Sequence, residues 1–338
     1  MTIRRIGRSL VVAPGPASGS VSGASGASRA SGESPDESLQ DPLAELAAEG
    51  STGSGIREIV FEAGDHFLSR GLALDHRFSG VALRGDGPAR LVGGKRLTRF
   101  EPVRNPAILG RLDPAVARRV RVCRLADEGI RSWGGLQSRG FARPVHPSHP
   151  ELFWRSVPLD LAGYPGKNRY LAISGVGQAE PDGWRGTIGN LQHGFFYQDE
   201  RPRTWAPNPH LWVHGYWAWD WANSVEQVAS LDPDRGFVET RPPYGNYGFR
   251  IGNRFQFLNV LEELGRGGDY ALDVDAGLVY FLEPEDAGQG GDLLLSLLEE
   301  PILAVRGAAD IRVEGLVFEA ARGHGILLAD ADRALVRD

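Results

Sequence analysis

The chain has 338 residues, a formal net charge of −6 and a hydrophobic content of 41%. That length accommodates two domains, or one large β domain with an insertion, and no basic block stands out to exchange phosphate counterions, so a nucleic-acid surface is not expected. No run reaches the ~18 apolar residues of a membrane span, and Cys123, the one cysteine, excludes an intrachain disulfide and any metal site built from cysteines.

The basic residues are nearly all Arg; Lys95 and Lys167 are the two lysines, a bias that fits GC-rich codon usage. At the N-terminus Arg4, Arg5 and Arg8 surround a run, Ser9–Ala13, too short for a signal-peptide core. Residues 14–41 are Ser, Gly, Ala and Pro, a composition that buries no core and predicts a flexible segment. Asp41 as N-cap, Pro42 at the first helical position and Gly50 past the end predict a short helix at Asp41–Ala48. Residues 1–50 thus read as a low-complexity leader.

From residue 51 to 97 the period is two. Ile59–Phe61, Phe67–Leu68, Leu72–Leu74, Val81–Leu83 and Ala89–Val92 read as short strands between Gly and Asp turns, with no helix-length pattern intervening. Residues 98–292 break that rhythm and read as an inserted, Trp-rich β domain. Within it Arg121–Arg124 alternates like a strand and places Cys123 as a buried thiol, and Asp269–Leu282 reads as a hairpin around Asp275–Gly277. From 293 to 338 the short strands resume: Ile302–Arg306, Ile311–Phe318 and Ile326–Leu328, with Ala331-Asp332 repeating Ala309-Asp310 22 residues on. Short strands, Gly/Asp turns and a period in the low twenties predict stacked coils, each burying its apolar face against the next. The expected fold class is therefore all-β: a right-handed parallel β-helix, first coils only, with a large inserted β-rich domain. Because the chain stops inside such a coil, it reads as truncated, and an open C-terminal coil predicts self-association through unpaired backbone edges.

Four features in order carry a resemblance: Ala89–Gly94, the Trp-rich His214–Trp221, the Asn259–Leu264 segment with the Asp269–Phe281 hairpin, and Ile311–Glu319. Together they resemble the N-terminal half of bacterial right-handed parallel β-helix proteins, nearest to β-helix glycoside hydrolases of the α-L-fucosidase and xylanase type. The resemblance implies a polysaccharide-active protein, an extracellular or periplasmic location, and catalytic carboxylates on later coils than this chain contains. It carries no catalytic assignment to any position here. The alternative is a non-catalytic carbohydrate-binding or surface-assembly module.

Five of the eight tryptophans lie between Trp205 and Trp221. Sugar rings present C–H faces that stack on indoles, so Tyr216, Trp217 and Trp219 are candidate substrate contacts; the competing reading packs Trp217, Trp219 and Trp221 on one strand face as core. His214 and Asp220 flank them and suit hydroxyl binding or acid–base work. Glycoside hydrolysis needs two carboxyls, roughly 5–5.5 Å apart for retention and 6.5–9.5 Å for inversion. Glu319, Arg322 and His324 follow a strand into a turn that would border a binding groove. Glu262-Glu263, Glu299-Glu300 and Asp232–Asp234 read as solvated surface and turn residues. No nucleotide-binding Gly-rich loop, Gly-x-Ser-x-Gly elbow or metal spacing is present, so no cofactor and no metal are expected.

Overall fold

The computed structural model describes residues 2–6, 9–15, 57–143, 147–183, 186–266, 268–284 and 292–338. The flexible segment and the Asp41–Ala48 helix expected above lie outside the described residues. What is described falls into two compact units, one drawn from Met1–Lys95 and Leu295–Asp338, the other from Arg96–Leu294.

In the first unit, alternation of apolar and polar residues produces strands with one buried face. A mixed sheet of six strands opens with Thr2–Ile6 antiparallel to Ser9–Ala13. It continues in parallel through Glu58–Phe67, Ala82–Val92, Arg312–Glu319 and Leu335–Arg337. A second sheet pairs Leu72–Leu74, Leu303–Arg306 and Ile326–Ala329. Ile59, Phe61, Leu83, Leu303, Val305 and Ile311 are fully buried within one core cluster, each contributing about 1.5–3 kcal/mol by leaving water. Where the Arg312–Glu319 strand shifts register, Gly315 takes a φ of +61° and its carbonyl approaches Gly85 so closely that a β-carbon at 85 would stand 2.1 Å from it. Only glycine fits there.

The second unit is dominated by a barrel. Arg254–Leu258, Leu171–Val176, Phe195–Tyr197, Phe237–Thr240, Ala222–Asp232 and Trp212–Trp219 pair in that order, and Trp212–Trp219 returns to Arg254–Leu258. Every pairing is antiparallel, so the six strands close on themselves and leave no edge along this sheet. Inward-facing side chains fill the interior, among them Phe195, Trp217, Phe249, Phe255 and Phe257. A separate antiparallel sheet joins Tyr270–Asp273, Leu278–Leu282, Val120–Arg124 and Phe100–Pro102. It contains the hairpin read at Asp269–Leu282 and buries Cys123, whose thiol burial pushes up to about 12.

These findings correct the expected fold class. The chain is all-β, but it is not a right-handed parallel β-helix with an insert: its largest sheet, of eight strands, contains a closed six-stranded antiparallel barrel, and the six-stranded sheet of the first unit mixes parallel pairs with an antiparallel one. The physical reason is that period-two alternation with Gly and Asp turns fixes strands and faces, whereas parallel and antiparallel ladders place side chains alike. A second correction concerns Glu262 and Glu263, read as solvated. Both are buried: Glu262 accepts from Arg111 at 2.8 Å, and Glu263 accepts from Arg201 at 2.6 Å and from the Trp205 indole at 2.9 Å. Buried carboxylates persist where such partners satisfy them.

Candidate functional site

Strand pairing decides which side chains leave the barrel. In Trp212–Trp219, Val213 and Trp217 point into the core; in Arg254–Leu258, Phe255 and Phe257 do the same. The alternate positions therefore face outward. His214 stands opposite Val225 on one side and Gln256 on the other. These residues, with Asn223 and Leu258, form one wall of a cleft of about 650 Å³. Further lining comes from Arg139 and Gly140, which pair with the Ala222–Asp232 strand, and from residues that include His149, Glu151, Asp160, Lys167, Asn168 and Tyr270.

His214 is held on both ring nitrogens. Its Nε2 lies 3.2 Å from Asn223 Oδ1, and Gln256 Nε2 donates to its Nδ1 at 3.3 Å. A nitrogen that accepts carries no proton, so these bonds select the neutral imidazole protonated at Nε2. Burial, then repulsion from Arg139 and Arg254, pushes the His214 pKa down and favours the same state. Beside it stand two phenol rings: Tyr216 with its centroid 5.6 Å from that of His214, and Tyr170 at 6.3 Å. The Arg254 guanidinium lies 4.1 Å from the Tyr216 centroid and 5.4 Å from that of Tyr170, a cation–π arrangement that fixes both rings. Asp220 approaches the same guanidinium at 3.4 Å.

Across the cleft, the buried Tyr270 hydroxyl donates to the Pro150 carbonyl at 3.2 Å and lies 3.1 Å from His149 Nε2. Burial holds this phenol well above its usual pKa. With its one proton directed at Pro150, the bond from His149 requires Nε2 to donate. Glu151 accepts from Ser148 Oγ at 3.3 Å, and Asp160 pairs with Lys167 at 2.8 Å. The cleft thus combines two carboxylates, two imidazoles, three side-chain amides and cations, a donor and acceptor set suited to a polyhydroxylated ligand. Among the described residues no group of three or more His, Cys, Asp or Glu side chains converges to hold a metal ion.

The sequence candidates divide. His214 lines the cleft, while Tyr216 and Asp220 gather with it around Arg254. Trp217 is 2% exposed in the barrel core, where its Nε1 donates to Ser224 Oγ at 2.8 Å. Ser224 in turn donates to Glu226 at 2.5 Å, and Glu226 forms a buried ion pair with Arg143. Trp219 is half-buried beneath the Arg250 guanidinium, 4.9 Å from its ring centroid. Trp217, Trp219 and Trp221 do not share a face: the ladder shifts register between Gly215 and Trp219, and Trp221 lies in the turn, 60% exposed. Glu319, Arg322 and His324 belong to the other unit. Glu319 pairs with Arg90 at 2.5 Å, Arg322 is buried against Glu299, and His324 is exposed.

Sequence reasoning missed Tyr170, Glu151, Asn223, Arg254 and Gln256. Alternation along Arg254–Leu258 marks Arg254 and Gln256 as outward, but only the pairing of this strand with Trp212–Trp219 brings them to His214.

No family model matches the chain, and no curated protein matches it. A solved structure named "Glycoside hydrolase" is similar in fold, with a TM-score of 0.59 and 14% sequence identity over 84% of this chain and 47% of that one. The chain therefore spans about half the length of that structure. At this identity the likeness is one of fold: the chain has a glycoside hydrolase-like fold.

Proposed function

We propose that this chain is a carbohydrate-active protein of glycoside hydrolase-like type and that the cleft beside the barrel binds an oligosaccharide. The observation that carries the reading is the convergence on one cleft of His214, Asn223, Gln256 and Arg139 with the carboxylates Glu151 and Asp160. Sugar hydroxyls both donate and accept; the Asn223 and Gln256 amides offer both roles, the Arg139 guanidinium donates, and His214, whose ring nitrogens are taken by those two amides, orients them with little freedom to lose. Tyr170 and Tyr216, clamped by Arg254, add ring faces for sugar C–H groups. The glycoside hydrolase-like fold supports the same class. In hydrolysis, Glu151 and Asp160 would serve as the two carboxyls, one giving a proton to the leaving oxygen and one acting at the anomeric carbon or on water.

The same cleft serves a binding module that releases its ligand uncleaved, so binding and turnover are measured separately. Calorimetric titration with xylo- and fuco-oligosaccharides is expected to show binding that His214→Ala and Gln256→Ala weaken about tenfold or more, in variants whose circular dichroism shows the native β structure retained. Release of reducing ends, abolished by Glu151→Gln, identifies a hydrolase; binding without release identifies a module. Binding that both cleft substitutions leave untouched would overturn the assignment of this site.

A further inference from the structure

The cleft makes no use of an aromatic group at its rim. Trp221 is 60% exposed and Phe141 40%, yet both rings are braced. Phe141 lies parallel to Tyr247, with centroids 5.7 Å apart and planes at 13°; Trp221 meets Phe141 at 4.9 Å and Tyr247 at 5.8 Å, nearly perpendicular to each. Trp219 extends the group, 6.5 Å from Tyr247. Every one of these separations is favourable for ring pairs. Rings ordered in advance lose little freedom when a ligand arrives.

The group is continuous with the cleft. Gly140 and Asn223 line the cleft. Phe141 follows Gly140 directly, its backbone N–H donates to the Asn223 carbonyl at 2.8 Å, and Trp221 occupies the turn that leads into Asn223.

We propose that Trp221, Phe141 and Tyr247 form a second sugar-stacking surface, which takes further pyranose rings of the same oligosaccharide whose first units occupy the cleft. The proposal rests on the cleft being a carbohydrate site. Size favours a sugar over a protein as the occupant. A stable protein interface takes roughly 800 Å² from each partner, whereas a Trp and a Phe ring at these exposures offer no more than about 300 Å² together. That area matches the C–H faces of one or two sugar rings.

The test compares xylobiose with xylohexaose, and cellobiose with cellohexaose, by calorimetric titration of the wild-type chain, Trp221→Ala, Phe141→Ala and His214→Ala. The hexaose is expected to bind the wild type about tenfold more tightly than the biose. Trp221→Ala and Phe141→Ala should remove that advantage and leave biose affinity and melting temperature unchanged, whereas His214→Ala weakens both lengths alike. A length advantage that survives both rim substitutions overturns the second surface while the cleft assignment stands. Absence of binding to all four sugars overturns both.

Discussion

The Trp217 indole lies against the α-carbon of Gly215, so that a β-carbon at 215 would stand 2.5 Å from the ring. This contact lets a large side chain turn back across its own strand and enter the barrel, and it coincides with the register shift that begins at Gly215. The same indole reaches Ser224 across the ladder at 2.8 Å. Gly215→Ala is therefore expected to destabilise the barrel by about 1–3 kcal/mol through overpacking, read by chemical denaturation. In Gly215→Ala/Trp217→Leu the added cost of the alanine should largely vanish, since the ring it strikes is gone; a fully additive double variant would refute the contact.

Arg143 and Glu226 are buried to 6% and 2% side-chain exposure. Burial pushes the Glu226 carboxyl above its usual pKa, and Arg143 and Ser224 pull it back. Arg143→Ala strips the carboxylate of its cation inside the protein, at an expected cost of about 3–5 kcal/mol. Arg143→Ala/Glu226→Gln should recover part of that loss, because no buried charge is left unpaired. Melting of the three forms at neutral pH checks the order.

Two histidines make stability depend on pH in the same direction. Burial depresses the pKa of both His214 and the fully buried His66 below the usual value near 6.5. The unfolded chain then takes up protons at higher pH than the folded chain. The stability associated with the neutral rings is complete above about pH 6.5 and is lost as pH falls through the depressed folded values. Unfolding free energy measured from pH 7.5 downward should decline through this window, and His214→Gln and His66→Gln should each flatten the decline. A curve whose slope neither substitution changes would contradict these protonation states.

Much of the architecture was legible in the pattern of residues. Alternation in Ile311–Phe318 and in the Asp269–Leu282 hairpin marked strands, because side-chain period follows directly from backbone geometry, but Ile59–Phe61 and Phe67, read in separate strands either side of a Gly turn, lie in one strand, Glu58–Phe67. Pairing was not legible. Ala331-Asp332 repeats Ala309-Asp310 at 22 residues, yet Asp332 stands opposite Ala309, so the paired positions are offset by one from the repeat. Barrel closure depends on Trp212–Trp219 meeting Arg254–Leu258 across a long sequence gap, which no local signal encodes.

The site was legible in the same partial way. His214, Tyr216 and Asp220 announced themselves through an aromatic neighbourhood. Gln256, Asn223 and Tyr170 are ordinary polar or aromatic residues until the ladder brings them together. Glu262-Glu263 and Glu299-Glu300 look alike as sequence, but the first pair is buried against Arg111, Arg201 and Trp205, whereas Glu299 and Glu300 are exposed. What separates them is burial: Glu299 also has a cation, Arg322, but stays at the surface, whereas Glu262 and Glu263 are covered by residues brought in from distant segments.

The most direct test of the carbohydrate assignment is a crystal structure of this chain soaked with xylohexaose. The assignment predicts sugar density in the cleft, with hydroxyls within hydrogen-bond distance of Asn223 or Gln256 and of Glu151. Sugar bound elsewhere on an open, unobstructed cleft would contradict it.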